Sequence, residues 1–363
     1  MDSRERTFLA LAHQQPDRVP IDFWSTFGFD AKLQSALGLS RQQWLDLHDV
    51  DLRYIPGPDY IGPELRPLSD GLDQDIFGVG RRKVTVSTPD GQETYKEVAF
   101  SPLATATTVR QINYYGHWPS PDWFDYSDIE NQCEAVRNAH RVVVFMGDRL
   151  NRIAQLKPAM YVRGVEQIFI DMALHPEIAV AIFAKIRGFY LAYAQRIFSA
   201  ASGKIDIVLT GDDFGSQNGP FVSPAMWTEF LSRGFTDYID LAHSFGLKVM
   251  HHTCGSVRPL IPLMIESGLD VLQSLQPEAA GMDPVELKRH FGHELCFQGG
   301  ISVQSVLPFG RAEDVEQQVR GVTDALAPGG GYILGTSHNL QADVPIANAQ
   351  ALVAAYHKYA PYE

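Results

Sequence analysis

Cysteine is scarce in this chain: Cys133, Cys254 and Cys296 are the three among 363 residues. Thiols so few and so scattered cannot build a disulfide framework, which agrees with a reducing compartment. Long apolar runs are missing too, so nothing has the length that crosses a bilayer and no membrane partner is expected. The opening Met1-Asp2-Ser3-Arg4-Glu5-Arg6 lacks the apolar core of a secretion signal, and a cytoplasmic location is the expectation. Positive charge is also in short supply, with 30 Lys and Arg against 43 Asp and Glu and a formal net charge of −13. Such a surface disfavours nucleic acid, whose counterions only a basic face displaces. It also disfavours a polyanionic substrate unless the site gathers its own Arg or Lys. Low-complexity tracts and repeats of solenoid length are absent. No G-x-G-x-x-G follows an early strand, which removes the fingerprint of a dinucleotide-binding sheet.

What remains is an ordinary globular composition, 45% hydrophobic and 20% charged. The length suits two domains, or one α/β barrel with insertions, and the order of segments favours the barrel. A short helical start ends near His13, and Arg18-Val19-Pro20-Ile21-Asp22-Phe23-Trp24 reads as a strand. From residue 25 to about 135 the chain is rich in Pro, Gly, Asp and aromatics and reads as an irregular cap inserted into the single domain 1–363. Within it, residues 82–98 around the turn signal Pro89-Asp90-Gly91 predict a β-hairpin. After residue 140 short apolar runs alternate with amphipathic stretches. The runs are Arg141–Met146, Ile205–Leu209, Leu247–Met250, Leu269–Leu272, Leu295–Phe297 and Tyr332–Leu334. Alternating β and α units numbering near eight predict a closed (β/α)8 TIM barrel with an N-terminal cap, and an open doubly wound sheet is the runner-up.

Barrel enzymes place their chemistry in the loops after the strand C-termini, and polar groups recur there. The candidates are Asp212 and Asp213, His252 and Cys254, Gln273, Gln298, and Ser337-His338-Asn339. The plainer alternative is that strand ends are generally followed by polar turn residues. In His251-His252-Thr253-Cys254-Gly255, a His and a Cys two apart beyond a strand point a nitrogen and a sulfur at one spot, as soft ligands of zinc must. Two ligands do not make a site, so a third is required.

Several segments together resemble the uroporphyrinogen decarboxylase superfamily. They are Arg18-Val19-Pro20, Gly211-Asp212-Asp213-Phe214-Gly215-Ser216-Gln217 with Ser223-Pro224, the H-x-C-G of His252 to Gly255, Gln298-Gly299-Gly300-Ile301, and Gly329 to Leu334 followed by Ser337-His338-Asn339. The resemblance implies a (β/α)8 barrel and one of two chemistries: cofactor-free decarboxylation of a porphyrinogen, or zinc-dependent methyl transfer between a corrinoid or methylated donor and a thiol. Decarboxylases of the family carry an Arg-Gln-Ala-Gly-Arg-Tyr-like segment after the first strand. This chain has Phe23-Trp24-Ser25-Thr26-Phe27-Gly28, with no arginine between Arg18 and Arg41. The expectation is therefore the methyltransferase-like branch, with a decarboxylase of a porphyrinogen or smaller acid, or a noncatalytic corrinoid or tetrapyrrole binder, as rivals. The family's third zinc ligand is usually a Cys after the last strand; this chain carries His338 there, a replacement whose neutral imidazole nitrogen also binds zinc, beside His252 and Cys254. The resemblance also implies a thiol or methylated small molecule as substrate, a corrinoid protein as partner and methyl donor, and pairing into a homodimer.

Around that centre, Asp213 and Asp212 are the candidate catalytic carboxylates, each to orient a ligand His, accept a proton or bind a cationic group; the alternative is a turn or helix cap. Adjacent side chains diverge in extended chain, so Asp213, nearer Gln217 and Asn218, is taken to face the mouth. Gln217, Asn218, Gln273 and Asn339 are candidate substrate-binding amides. Trp24 is a candidate wall of an apolar pocket, Tyr161 lies on another loop reaching the mouth, and Arg163 is placed to hold a carboxylate. His251 is expected to point away from His252, Cys296 and Cys133 to be core thiols, and Arg81, Arg82 and Lys83 to form a solvated hairpin end.

Overall fold

A computed structural model describes residues 1–88, 91–147 and 152–362 of the protein. Seven parallel strands lie in chain order across one sheet: β1 (Leu52–Ile55), β2 (Val142–Phe145), β3 (Ile207–Gly211), β4 (Lys248–His252), β5 (Val271–Leu275), β6 (Cys296–Ile301) and β7 (Tyr332–Thr336). The segment 18–25 closes the ring between β7 and β1. Ile21 bridges Leu334 in parallel, the Leu334 amide donates to Pro20 at 2.8 Å, and the Asp51 amide donates to Ile21 at 2.9 Å. The result is a (β/α)8 barrel, as the rhythm of apolar runs predicts. No helix among the described residues is long and apolar enough to cross a membrane.

Strand parity sorts the side chains. Val142 and Val144, Ile207 and Leu209, Met250, Val271, Cys296 and Ile333 fill the barrel interior, with Leu11 in the same cluster. Their neighbours Val143, Phe145, Val208, Val249, Leu272, Phe297 and Leu334 face the surrounding helices. Side chains alternate with a period of two along a strand, so β-branched runs buried on both faces give both layers at once. Cys296 is core, and Cys133 is buried in helix Ile129–Asn138.

Two expectations need correction. Leu52–Ile55 is a barrel strand paired with β2, although it falls inside the stretch read as irregular cap, which also holds helices Phe27–Leu37 and Arg41–Leu47. Arg53 hides that strand, because its guanidinium is buried by donating to the Val50 and Leu52 carbonyls at 2.6 and 3.0 Å and by pairing with Asp46 at 2.8 Å. Gln273 and Gln298, expected in loops, lie within β5 and β6, because the upper interior of this barrel is polar and the strands run past their apolar portions. The hairpin forms as Gly80–Thr88 against Gly91–Phe100; Pro89 and Asp90 of its turn signal lie outside the described residues.

Candidate functional site

Parity carries into the H-x-C segment. Met250 and His252 face inward, whereas His251 turns out, with Nδ1 2.8 Å from the Thr210 hydroxyl and its ring stacked on Phe214. Two residues beyond His252, Cys254 returns its sulfur to 3.5 Å from His252 Nε2. Ligands of a tetrahedral zinc sit about 3.6 Å apart when Zn–N is roughly 2.0–2.1 Å and Zn–S roughly 2.3 Å. His338 arrives from the loop after β7, and the His252, Cys254 and His338 ligand atoms all lie within 4.8 Å of one another. Two imidazoles and a thiol are a donor set suited to zinc, so these residues fit such an ion.

The surroundings fix this set. Gln273 Oε1 lies 2.5 Å from His252 Nδ1, which makes Nδ1 the protonated nitrogen and leaves the Nε2 lone pair facing Cys254. Burial, and then the nearby Arg152 guanidinium, push His252 well below its usual range despite Asp213, so its imidazole is neutral. Burial, reinforced by Asp213, pushes the Cys254 thiol up to about 12, and a metal binding there must expel that proton. Asp213 Oδ1 accepts from the Cys254 amide at 3.1 Å and lies 3.6 Å from His252 Nε2, while its other oxygen pairs with Lys157. Burial opposes its ionisation, but beside a neutral His252 the Lys157 ammonium and the Cys254 amide still hold the carboxyl below the usual carboxylate range. Gly255 is required here. Its φ is +80°, and a Cβ would lie 2.5 Å from the Ser216 carbonyl oxygen, because the loops after β3 and β4 touch backbone to backbone.

Asp212 plays a different part from the one expected. Its carboxylate accepts from the amides of Gln155, Leu156 and Lys157 at 2.6, 2.8 and 2.7 Å, so it caps the start of helix Leu156–Arg163. Burial pushes its carboxyl up to about 6 against those three donors. Gln273 holds His252 and does not offer itself to a substrate, and its side chain is fully buried. Arg163 is not at the mouth. It is buried in an ion pair with Asp171 at 2.6 Å and donates to the Leu103 carbonyl, tying down the loop before Thr108. Residues two apart on a helix face different ways, so Tyr161 can reach the site only if Arg163 turns from it. Gln217 bonds Gln304 at 3.1 Å on the exposed rim, Asn218 lies in an exposed turn closed by Ser216, and Asn339 is partly exposed; all three lie outside the cavity lining.

That cavity lies beside the centre, between the barrel mouth and the cap, and spans about 490 Å³ counting its solvent-open part. Asp213, His252 and Tyr161 line it, together with residues the sequence reading did not select: Asp75, Phe77, Arg81, Arg152, Lys157 and Tyr190. Arg81 is no solvated hairpin end. It is 3% exposed, pairs with Asp75 at 2.7 Å, and its guanidinium covers the Tyr161 ring at 4.7 Å. Trp24 stacks on His252 with centroids 5.6 Å apart, and Arg152 covers its ring at 5.8 Å. The only signal in the sequence for Arg152 or Lys157 is proximity to the strand β2 end, which does not distinguish them from surface cations.

The uroporphyrinogen decarboxylase (URO-D) family model matches residues 153–359, more than half of the chain, and the protein belongs to that family. Among curated relatives, the uroporphyrinogen decarboxylase of Mannheimia succiniciproducens is 27% identical over 36% of this chain and 39% of its own length. That of Sodalis glossinidius is 31% identical over 25% of this chain and 26% of its own. The chain thus matches well under half the length of these relatives. Among solved structures, a methyltransferase from Methanosarcina mazei superposes with a TM-score of 0.68 over 99% of both chains at 16% identity, a likeness of fold.

Proposed function

We propose that the protein is a zinc-dependent methyltransferase that moves a methyl group between a methylated donor and a thiol, with a methyl-corrinoid carried by a partner protein as the donor. The convergence of His252, Cys254 and His338 on one point at the barrel mouth carries this reading. A zinc ion held by these three residues would supply Lewis acidity that lowers the pKa of a substrate thiol while the sulfur stays nucleophilic. The protein's part is positional. Gln273 fixes the His252 tautomer, Asp213 holds the H-x-C loop through the Cys254 amide, and Lys157 keeps Asp213 charged. Trp24 covers one face of the His252 ring.

The rival reading, decarboxylation of a porphyrinogen, draws on the names of the curated relatives. The missing arginines between Arg18 and Arg41 count against it. Metal analysis separates the two: about one zinc per chain, lost on Cys254→Ala with the circular dichroism spectrum unchanged, is the expected result. Metal-free protein that converts uroporphyrinogen would overturn the proposal. Zinc and tight corrinoid binding without transfer to any thiol would reduce the protein to a binder.

A further inference from the structure

The cavity beside the centre holds three cations, Arg81, Arg152 and Lys157, and three carboxylates, Asp75, Asp212 and Asp213. They do not pair off. Lys157 pairs with Asp213 and Arg81 with Asp75, while both Asp212 oxygens are taken by backbone amides. Arg152 has no carboxylate within ion-pair distance among the described residues; its Nη2 meets the Met146 sulfur at 3.2 Å and its ring-facing side meets Trp24. Three donors of the cavity wall are buried without a partner: Arg152 Nε, Arg81 Nη2 and the Tyr161 hydroxyl. A buried donor left unmade costs free energy, more so when charged, and a water satisfies the hydrogen bond without neutralising the charge. A carboxylate does both, since its two oxygens offer about four acceptor sites. Phe77, Pro158 and Tyr190 form apolar wall around these donors.

The geometry points to a substrate with a single carboxylate, held by Arg152 and Arg81 with the Tyr161 hydroxyl, whose other end reaches the His252, Cys254 and His338 centre. Among the described residues one cavity cation has no carboxylate partner, which matches one acid group and not the many of a porphyrinogen. Arg81 reaches the cavity from the cap hairpin, so the insertion selects the acid. The inference rests on the methyl-transfer reading only for what the far end of the substrate does.

The test is calorimetric binding of 3-mercaptopropionate and its neutral amide, 3-mercaptopropionamide, to the full chain with zinc and after chelation. The acid is expected to bind at least about tenfold more tightly than the amide in both states, the range of a buried charged hydrogen bond. Arg152→Met and Arg81→Gln should each shrink that ratio toward unity by weakening the acid alone, and Arg152→Lys should restore part of it. Equal binding of acid and amide by the wild type, which needs no variant to fold, overturns the inference, as does a ratio that survives both replacements. If the untreated chain takes up no zinc at any concentration yet keeps the acid preference, the carboxylate site stands and the metal proposal falls. Zinc-dependent binding of both thiols with no preference removes the carboxylate site alone.

Discussion

Two parts of the molecule meet at the site, and they contribute by different physics. From about residue 153 onward, strands and helices alternate, and the metal donors are set by strand parity and by the loops immediately after β4 and β7. Before residue 153, barrel and cap are interwoven: the closing segment 18–25 and β1 belong to the barrel, while Arg81 on the hairpin and Asp75 and Phe77 just before it reach the cavity from the cap. The family match covers the first part and leaves out the second. Chemistry common to a barrel can thus stay with the strands while an insertion changes what the mouth accepts.

The largest expected effect tests the hairpin's anchor. Asp75→Ala leaves the Arg81 guanidinium buried without its carboxylate, and breaking such a pair costs about 3–5 kcal/mol. Urea unfolding should show that loss; a change below 1 kcal/mol would mean that the hairpin is held by other contacts.

Next in size is Asp22, on the seam where the amino-terminal segment closes the barrel. Tyr54 donates to its carboxylate at 2.7 Å and Gln298 at 3.0 Å, yet burial pushes the carboxyl up to about 6 from an ordinary 3.8. A raised carboxyl stabilises the fold fully below about pH 4, and that contribution is lost as pH rises through about 6. Asp22→Asn does not titrate, so its stability relative to wild type should grow between pH 4 and pH 7 by on the order of 3 kcal/mol. Chemical denaturation of both proteins across that window reads it, and a flat difference would show an Asp22 that titrates normally.

Within the carboxy-terminal part, Gln273→Leu removes the acceptor that holds His252 Nδ1. Loss of such a partner typically weakens a metal site about 10- to 100-fold. Competition with a chromogenic chelator measures it, and unaltered zinc affinity would show that Trp24 and Cys254 suffice to orient the ring. The smallest effect is a control beside the first: Arg82 is exposed, and Arg82→Ala should change stability by less than about 0.5 kcal/mol in the same urea assay.

The strands β2 to β7 are legible in the sequence because each is a short apolar run that must be buried on both faces. The strand β1 is not, since Arg53 and Tyr54 break its pattern and their partners are supplied by backbone carbonyls, by Asp46 and by Asp22. The inward turn of His252 and outward turn of His251 follow from parity alone. Arg163 could have been excluded the same way, because it stands two residues from Tyr161 on one helix. Asp75 and Arg81 offer no such clue: their pairing exists only once the chain has folded back on itself, and without it an Arg at a hairpin end reads as solvated.

The amino-acid order by itself determined the barrel rhythm, the shared direction of His252 and Cys254, and the shortage of cations that bounds the substrate's charge. Tertiary structure alone decided that Trp24 would lie on His252, that Asp212 would cap a helix, and that Arg152 would lie over Trp24 with no carboxylate within ion-pair distance among the described residues. Side-chain direction within an element is a local property of backbone geometry, whereas the distance between elements is fixed only when the ring closes and the cap packs down.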